Sequence, residues 1–216
     1  MENDKPLRKA IVFIDGNNVY HNLKTIGITP STINFHKLVL LVCKHFNSEY
    51  KCAFYYNSVP SIKDGEDLYH KHMAFLNKIR SYPNFVVVTR KLQTHSNKER
   101  IEEKKRILSQ LDFCGKCRPV IEKGCIDCIG SLKKKEKGID VKLAVDMLNI
   151  SVFKKECDLC IVITGDADFI PAMDLIKENG CDVVSASLPF GYSNQLKERH
   201  GWFILDKELI TKKCID

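Results

Sequence analysis

Three features of the 216-residue chain predict an α/β domain built on a mostly parallel sheet. Short β-branched runs alternate with helix-length amphipathic segments, the pattern of parallel strands joined by crossover helices. Two of the runs, Ile11–Ile14 and Ile161–Thr164, are apolar almost throughout, as expected of strands buried on both faces. Both runs stop at small and acidic residues, Asp15-Gly16-Asn17-Asn18 and Gly165-Asp166-Ala167-Asp168. In open α/β sheets the functional crevice lies at such carboxyl ends of strands.

Taken in order, Lys9–Ile14 (KAIVFI) reads as the first strand, ending in a polar loop. Pro30 to Phe46 has Ile33, Leu38, Leu41, Val42 and Phe46 at roughly helical spacing. Lys51–Asn57 is a second strand, Asp64–Tyr82 a long helix with Leu68, His72, Phe75, Leu76 and Ile79 in one stripe, and Phe85–Thr89 a third strand. From Thr94 to Lys137 the texture turns basic and cysteine-rich, which marks an inserted element within a domain spanning residues 7–213. The core pattern resumes with an amphipathic helix over Ile139–Phe153, with Leu143, Met147, Ile150 and Val152 facing inward. Leu159–Thr164 is the fourth strand. A helix over Asp168–Asn179 follows, closed by Gly180 and expected to have Asp168 at or near its N-cap. Asp182–Ala186 and Trp202–Leu205 are further strands, with a loop and short helix between them and a last helical turn or two over Lys207–Lys213.

Composition excludes several classes. Hydrophobic residues make up 44% and charged residues 28%, enough apolar surface for a core and too much for a disordered chain. No stretch approaches the roughly 20 apolar residues of a membrane span; the longest run is Leu38 to Cys43. The start of the chain lacks the apolar h-region of a secretion signal, so a cytoplasmic protein is expected. A net charge of +7 and a pI near 8.8 suit a polyanionic partner without requiring one.

Five carboxylates are candidates for one crevice. Asp15 and Asp166 fall at strand ends, Asp168 follows two residues later, Asp140 opens the helix after Gly138, and Asp146 lies one to two turns further along it. An Asp after a strand is most often a cap or turn former. Several converging carboxylates, however, repel one another unless a hard divalent cation with a taste for oxygen, Mg²⁺ or Mn²⁺, sits among them.

The segments IVFIDGNNVY, KGIDVKLAVDM and IVITGDADFIPAMDLIKENGCDVV resemble, in order, the three motif blocks of the NYN domain family, the LabA-like branch of the PIN-like nucleases. The resemblance covers roughly residues 9–60 and 137–190. It implies a Rossmann-like three-layer α/β/α sandwich and an endoribonuclease that depends on Mg²⁺ or Mn²⁺. By the matched positions Asp15, Asp140, Asp166 and Asp168 would be the catalytic, metal-holding acids, with Asp146 an outer member. Asn18, and Asn17 beside it, would help orient substrate or the metal shell. Lys142 or Lys137 is placed to neutralise phosphate charge, and each also reads as an ordinary solvated lysine. The implied partner is RNA, single-stranded or structured. The stretch from Lys91 to Lys137 is longer than the family tends to have between its third strand and the KG-D helix.

Four of the ten cysteines form Cys114-Gly-Lys-Cys117 and Cys125-Ile-Asp-Cys128. Paired CxxC turns favour a closed tetrahedral Zn²⁺ site, structural because no coordination position stays open. This would be a compact knuckle. Lys98, Arg100, Lys104, Lys105 and Arg106 on one side, and Lys133, Lys134, Lys135 and Lys137 on the other, make the insert basic and able to grip an RNA backbone. The other six, Cys43, Cys52, Cys157, Cys160, Cys181 and Cys214, read as scattered thiols. Rival readings are a catalytically silent RNA-binding module of the same fold, a zinc-organised adaptor, and a phosphatase or DNA nuclease using the same acids.

Overall fold

A computed structural model of the chain describes residues 6–60, 62, 65–91, 97–127 and 138–215. They form two compact units, residues 1–90 with 138–216, and Lys91–Lys137.

The first unit is a six-stranded sheet. Its strands are β1 (Arg8–Asp15), β2 (Ser48–Val59), β3 (Phe85–Lys91), β4 (Leu159–Ile163), β5 (Asp182–Ser187) and β6 (Gly201–Ile204), in the spatial order β3-β2-β1-β4-β5-β6. β1 runs parallel to both β2 and β4, β4 to β5, and β5 to β6. The order reverses between β1 and β4, the topological switch point at which α/β sheets open a crevice.

Sequence alternation explains the three layers. Successive side chains of a strand point to opposite faces, and Ala10 through Ile14 are all fully buried, so helices must cover both sides of β1. Ala10, Val12 and Ile14 join Leu159, Ile161 and Ile163 in one core, with Val19, Leu23, Leu38, Val42, Leu76 and Ile79 from the helices over it. Ile11 and Phe13 join Cys160 and Val162 in the other, under Leu143, Met147, Met173 and Ile176. The first layer comes from α1 (Gly16–Thr25), α2 (Phe35–His45), α3 (Glu66–Arg80) and α9 (Lys207–Cys214); the second from α6 (Ile139–Leu148) and α7 (Ile170–Glu178). The short α8 (Asn194–Arg199) adds Leu196 to the second core.

Several expectations need correction. The residues after Asp15 are not a loop: α1 begins at Gly16, with the Asp15 carboxylate accepting from the Asn18 amide as its N-cap. The Ile139–Phe153 helix is α only to Leu148; Asn149–Phe153 widens into a π-helical turn. Asp168 is not the cap after β4. Asp166 caps a 3₁₀ turn over Ala167–Phe169, which leads into α7, because its carboxylate reaches the Asp168 amide. Gly180 does take the left-handed conformation after α7, at φ +86°. Leu68 leaves the expected stripe of α3 and is 56% exposed, while Leu76 and Ile79 are buried. Nor are the six thiols all scattered: Cys157 Sγ lies 4.0 Å from Cys181 Sγ, both buried.

The second unit holds α4 (Asn97–Ser109) and α5 (Cys117–Asp127). Cys114 and Cys117 are exposed, and the Cys117 amide donates to Cys114 Sγ at 3.3 Å. The Cys117 thiol, and after it that amide, hold the Cys114 thiol below its ordinary value, while the Cys114 side chain raises the thiol of Cys117. α5 runs through Cys125 to Asp127, and the Cys125 side chain and Cys128 lie outside the described residues. Eight residues of helix separate Cys117 from Cys125, about 12 Å of rise, so one zinc shell taking both would require the end of α5 to unwind. No helix among the described residues is long and apolar enough to cross a membrane.

Candidate active site

β1 and β4 are adjacent and in register, Ile14 opposite Ile163, so the residues that leave them, Asp15 and Thr164, meet at the switch point. Asp15 is buried, 6% exposed. A buried carboxylate needs donors. The Asn18 amide gives one to Oδ1 at 3.1 Å, and the Thr164 hydroxyl gives one to Oδ2 at 2.9 Å. Thr164 Oγ1 in turn accepts from the Asp166 amide at 3.1 Å, and Asp166 accepts from the Asp168 amide at 3.0 Å. One hydroxyl thus links the two strand-end acids. Nothing in the sequence reading singled out Thr164; its place between IVI and Gly-Asp was the available signal.

The turn after β4 is held from both sides. The Gly165 amide donates to Asn18 Oδ1 at 3.0 Å, and its carbonyl accepts from the Ser193 amide at 2.9 Å. A side chain at Gly165 would stand 2.2 Å from the Gly191 carbonyl oxygen, so only glycine fits. Asn18 Oδ1 also accepts from Asn22 Nδ2 at 3.0 Å, and Asn17 Oδ1 accepts from the Ser58 amide at 3.4 Å. Both asparagines therefore fasten α1 to neighbouring loops, Asn18 to the turn after β4 and Asn17 to the end of β2.

Asp140 lies in the first turn of α6, behind Gly138 in the left-handed conformation at φ +82°. Partial burial raises its carboxyl above the ordinary range, and the charges of Asp166 and Asp168 raise it further. Asp166 and Asp168 thus lie near enough to Asp140 for their charges to reach it. Asp146 has different company. Its Oδ2 accepts from Tyr56 Oη at 2.9 Å, and its Oδ1 is paired with Lys142 Nζ. Burial, followed by the Asp146 charge, pushes the Tyr56 hydroxyl well above its usual value. Tyr56 stands opposite Asp15 in the β1–β2 register, and no sequence pattern ties it to Asp146. Lys142, expected to meet phosphate, is engaged by Asp146.

Among the described residues no three His, Cys, Asp or Glu side chains are arranged as a ready-made shell for one ion. The donor chemistry still suits a hard cation: Mg²⁺ keeps several waters and takes only one or two protein carboxylates together with substrate phosphate.

The NYN domain model matches residues 9–201, nearly the whole of the chain. The chain belongs to the NYN domain family. NYN domains have a nuclease-like fold, and the strand-end acids occupy its switch point. An uncharacterized protein of Methanocaldococcus jannaschii is 34% identical over 82 residues, 35% of this chain and 34% of the relative, so the match spans about a third of that protein's length. A crystal structure of a protein of unknown function from Vibrio parahaemolyticus is similar in fold at a TM-score of 0.54 and 16% identity, covering 96% of this chain and 98% of that one.

Proposed function

We propose that this NYN domain is a metal-dependent endoribonuclease that hydrolyses RNA phosphodiesters at the crevice over β1 and β4. The observation that supports the reading is the gathering of acids at the switch point, Asp15 linked through Thr164 to Asp166, and Asp140 within reach of the Asp166 and Asp168 charges. Asp15, Asp140, Asp166 and Asp168 would hold Mg²⁺ or Mn²⁺. The bound ion would supply charge neutralisation for the phosphate and a lowered pKa for the attacking water. The chain's own residues do the positioning. Thr164 and the Asn18 amide orient Asp15, the Asp168 amide orients Asp166, and Gly138 sets the entry angle of the helix carrying Asp140. Asp146, tied to Tyr56 and Lys142, serves as an outer member that braces α6 against β2.

One second reading is a catalytically silent RNA-binding module of the same fold, because Asp146 already engages Lys142, the cation expected to meet phosphate. End-labelled single-stranded RNA incubated with Mn²⁺, Mg²⁺ or EDTA separates the two, using wild type, Asp166→Asn and Asp140→Asn. Asn keeps an acceptor oxygen for the Asp168 amide, so the turn survives the first substitution. Cleavage that needs metal and is lost in both variants supports the nuclease. RNA binding without cleavage by any of the three proteins supports the silent module. Equal cleavage by all three would rule out the acid assignment.

We further propose that the second unit binds structural Zn²⁺ through Cys114, Cys117, Cys125 and Cys128. The exposed Cys114–Cys117 turn, with the Cys117 amide on Cys114 Sγ, supports this, and helical Cys125 sets the condition that α5 shortens on binding.

A further inference from the structure

Beside the acid crevice the first unit has a cavity of about 520 Å³ between α1, the segment that follows it and the first half of α3. Ile28, Pro30, Leu68 and Phe75 give it an apolar lining, and Tyr20 and His72 add two rings. Lys24 and Lys71 supply charge, and among the described lining residues there is no carboxylate. Lys207 Nζ adds a third cation close to the same edge, 3.4 Å from where a side chain on Gly27 would begin.

Each feature is odd for a surface that only faces water. Leu68, more than half exposed, departs from the buried stripe of its helix to line this cavity. His72 is half-buried and bonded to the Ser58 backbone, so it lines the cavity as a neutral ring rather than as a charge. Lys24 Nζ is held 5.1 Å from the centroid of the Tyr20 ring. An apolar slot with aromatic walls and cations at the rim complements a molecule that is flat and anionic. A nucleotide has both properties. Single strands are held in this way, by rings for the bases and by lysines for the backbone.

We infer that this cavity is a nucleotide subsite, seating one base of a single-stranded RNA whose backbone continues to the Asp15–Asp166 crevice. The inference rests on the nuclease reading for the identity of the polymer. The geometry links the two places: Tyr20 lies five residues along α1 from Asp15, about 7.5 Å of helix rise. The base sits against Tyr20 and Phe75, and Lys24 and Lys71 take the flanking phosphates.

The test is fluorescence anisotropy of a 5′-fluorescein single-stranded RNA hexamer with the full chain in EDTA, which prevents hydrolysis. Wild type, the control Lys177→Glu at an exposed position of α7 and the double variant Lys24→Glu/Lys71→Glu are compared, with thermal melting to show that all three fold. Expected are near-equal affinities for wild type and Lys177→Glu and about tenfold weaker binding by the double variant. The salt dependence of the double variant should flatten by roughly 0.7 per lost phosphate contact. In a second measurement, Leu68→Trp emission is quenched by adenosine monophosphate, while wild-type emission, from Trp202 alone, is not. Equal RNA binding by all three proteins would overturn the subsite and leave the nuclease reading intact. No RNA binding by wild type would overturn the subsite, and no metal-dependent cleavage either would remove both readings. A dimer in sedimentation that the double variant abolishes, with RNA binding unchanged, would overturn the nucleotide and give the cavity to a second copy of the chain.

Discussion

The Thr164 hydroxyl donates to Asp15 Oδ2 at 2.9 Å while accepting from the backbone amide of Asp166. Thr164 is 1% exposed, so water cannot take its place. Replacing it with valine keeps the shape and removes both bonds. We expect Thr164→Val to cost about 1–3 kcal/mol in urea unfolding, because it strips a donor from a buried carboxylate. Metal-dependent RNA cleavage should fall with it, and Thr164→Ser should restore most of both. A valine variant with unchanged stability and rate would show that Asp15 does not depend on this hydroxyl.

Asp140 carries the pH dependence of the crevice. Its folded-state value is raised above the ordinary 3.8, so the protonated form is the one that folding favours. That stabilising contribution is complete below the ordinary value and is lost as pH rises through the raised one. Asp140→Asn should therefore be more stable than wild type at neutral pH, the difference shrinking as the pH falls through the raised value and gone below the ordinary one. Adding Mn²⁺ should reverse the order at neutral pH by stabilising wild type alone, as any ligand of the folded state does. Denaturant melts at two pH values, with and without Mn²⁺, check both arms; no Mn²⁺-linked gain in wild type would count against cation binding here.

Gly165 is hemmed in by backbone rather than by side chains that can turn away. A methyl group there would approach the Gly191 carbonyl oxygen to 2.2 Å and its carbon to 2.9 Å. Gly165→Ala should lose about 1–3 kcal/mol or more from forced backbone shifts. Gly115→Ala, with no heavy atom within 4 Å of the new methyl, should stay within about 0.5 kcal/mol of wild type. Thermal melting of the two variants side by side gives the answer.

Much of this was legible from residue order, because the governing forces are local. The apolar runs at Ile11–Ile14 and Ile161–Ile163 announce strands buried on both faces, and the acids that end them are the acids of the crevice. α1 was missed because Gly16, Asn17 and Asn18 are poor helix formers and only Val19 and Leu23 are buried beyond them; the helix starts because Asp15 caps it. The pairing of Asp146 with Tyr56 spans 90 residues of sequence and that of Thr164 with Asp15 spans 149, and no periodicity records such contacts. Leu68 was read as core because spacing registers a stripe without showing where a neighbouring cavity interrupts it.

The cysteine pairs yield a prediction that geometry sharpens. We expect one equivalent of zinc by elemental analysis of protein prepared without chelator, and none in Cys114→Ser/Cys117→Ser. Because Cys125 lies within α5, zinc should lower helical ellipticity relative to the chelated protein. Zinc binding with helix content unchanged would mean that Cys125 stays outside the shell.

Lys91–Lys137 leaves the sheet after Arg90 and returns at Gly138, and the Arg90 guanidinium lies 3.3 Å from the position a Gly138 side chain would occupy. Stems tied together in this way make the crossover a graft point. Doubling the length of a chain that joins two fixed ends costs only about 0.6 kcal/mol, so a lineage can exchange the cargo carried there without renegotiating the architecture around it. The same left-handed glycine that ends the graft begins the helix bearing Asp140. Whatever is grafted there, the chain re-enters the core through one fixed backbone turn two residues before Asp140.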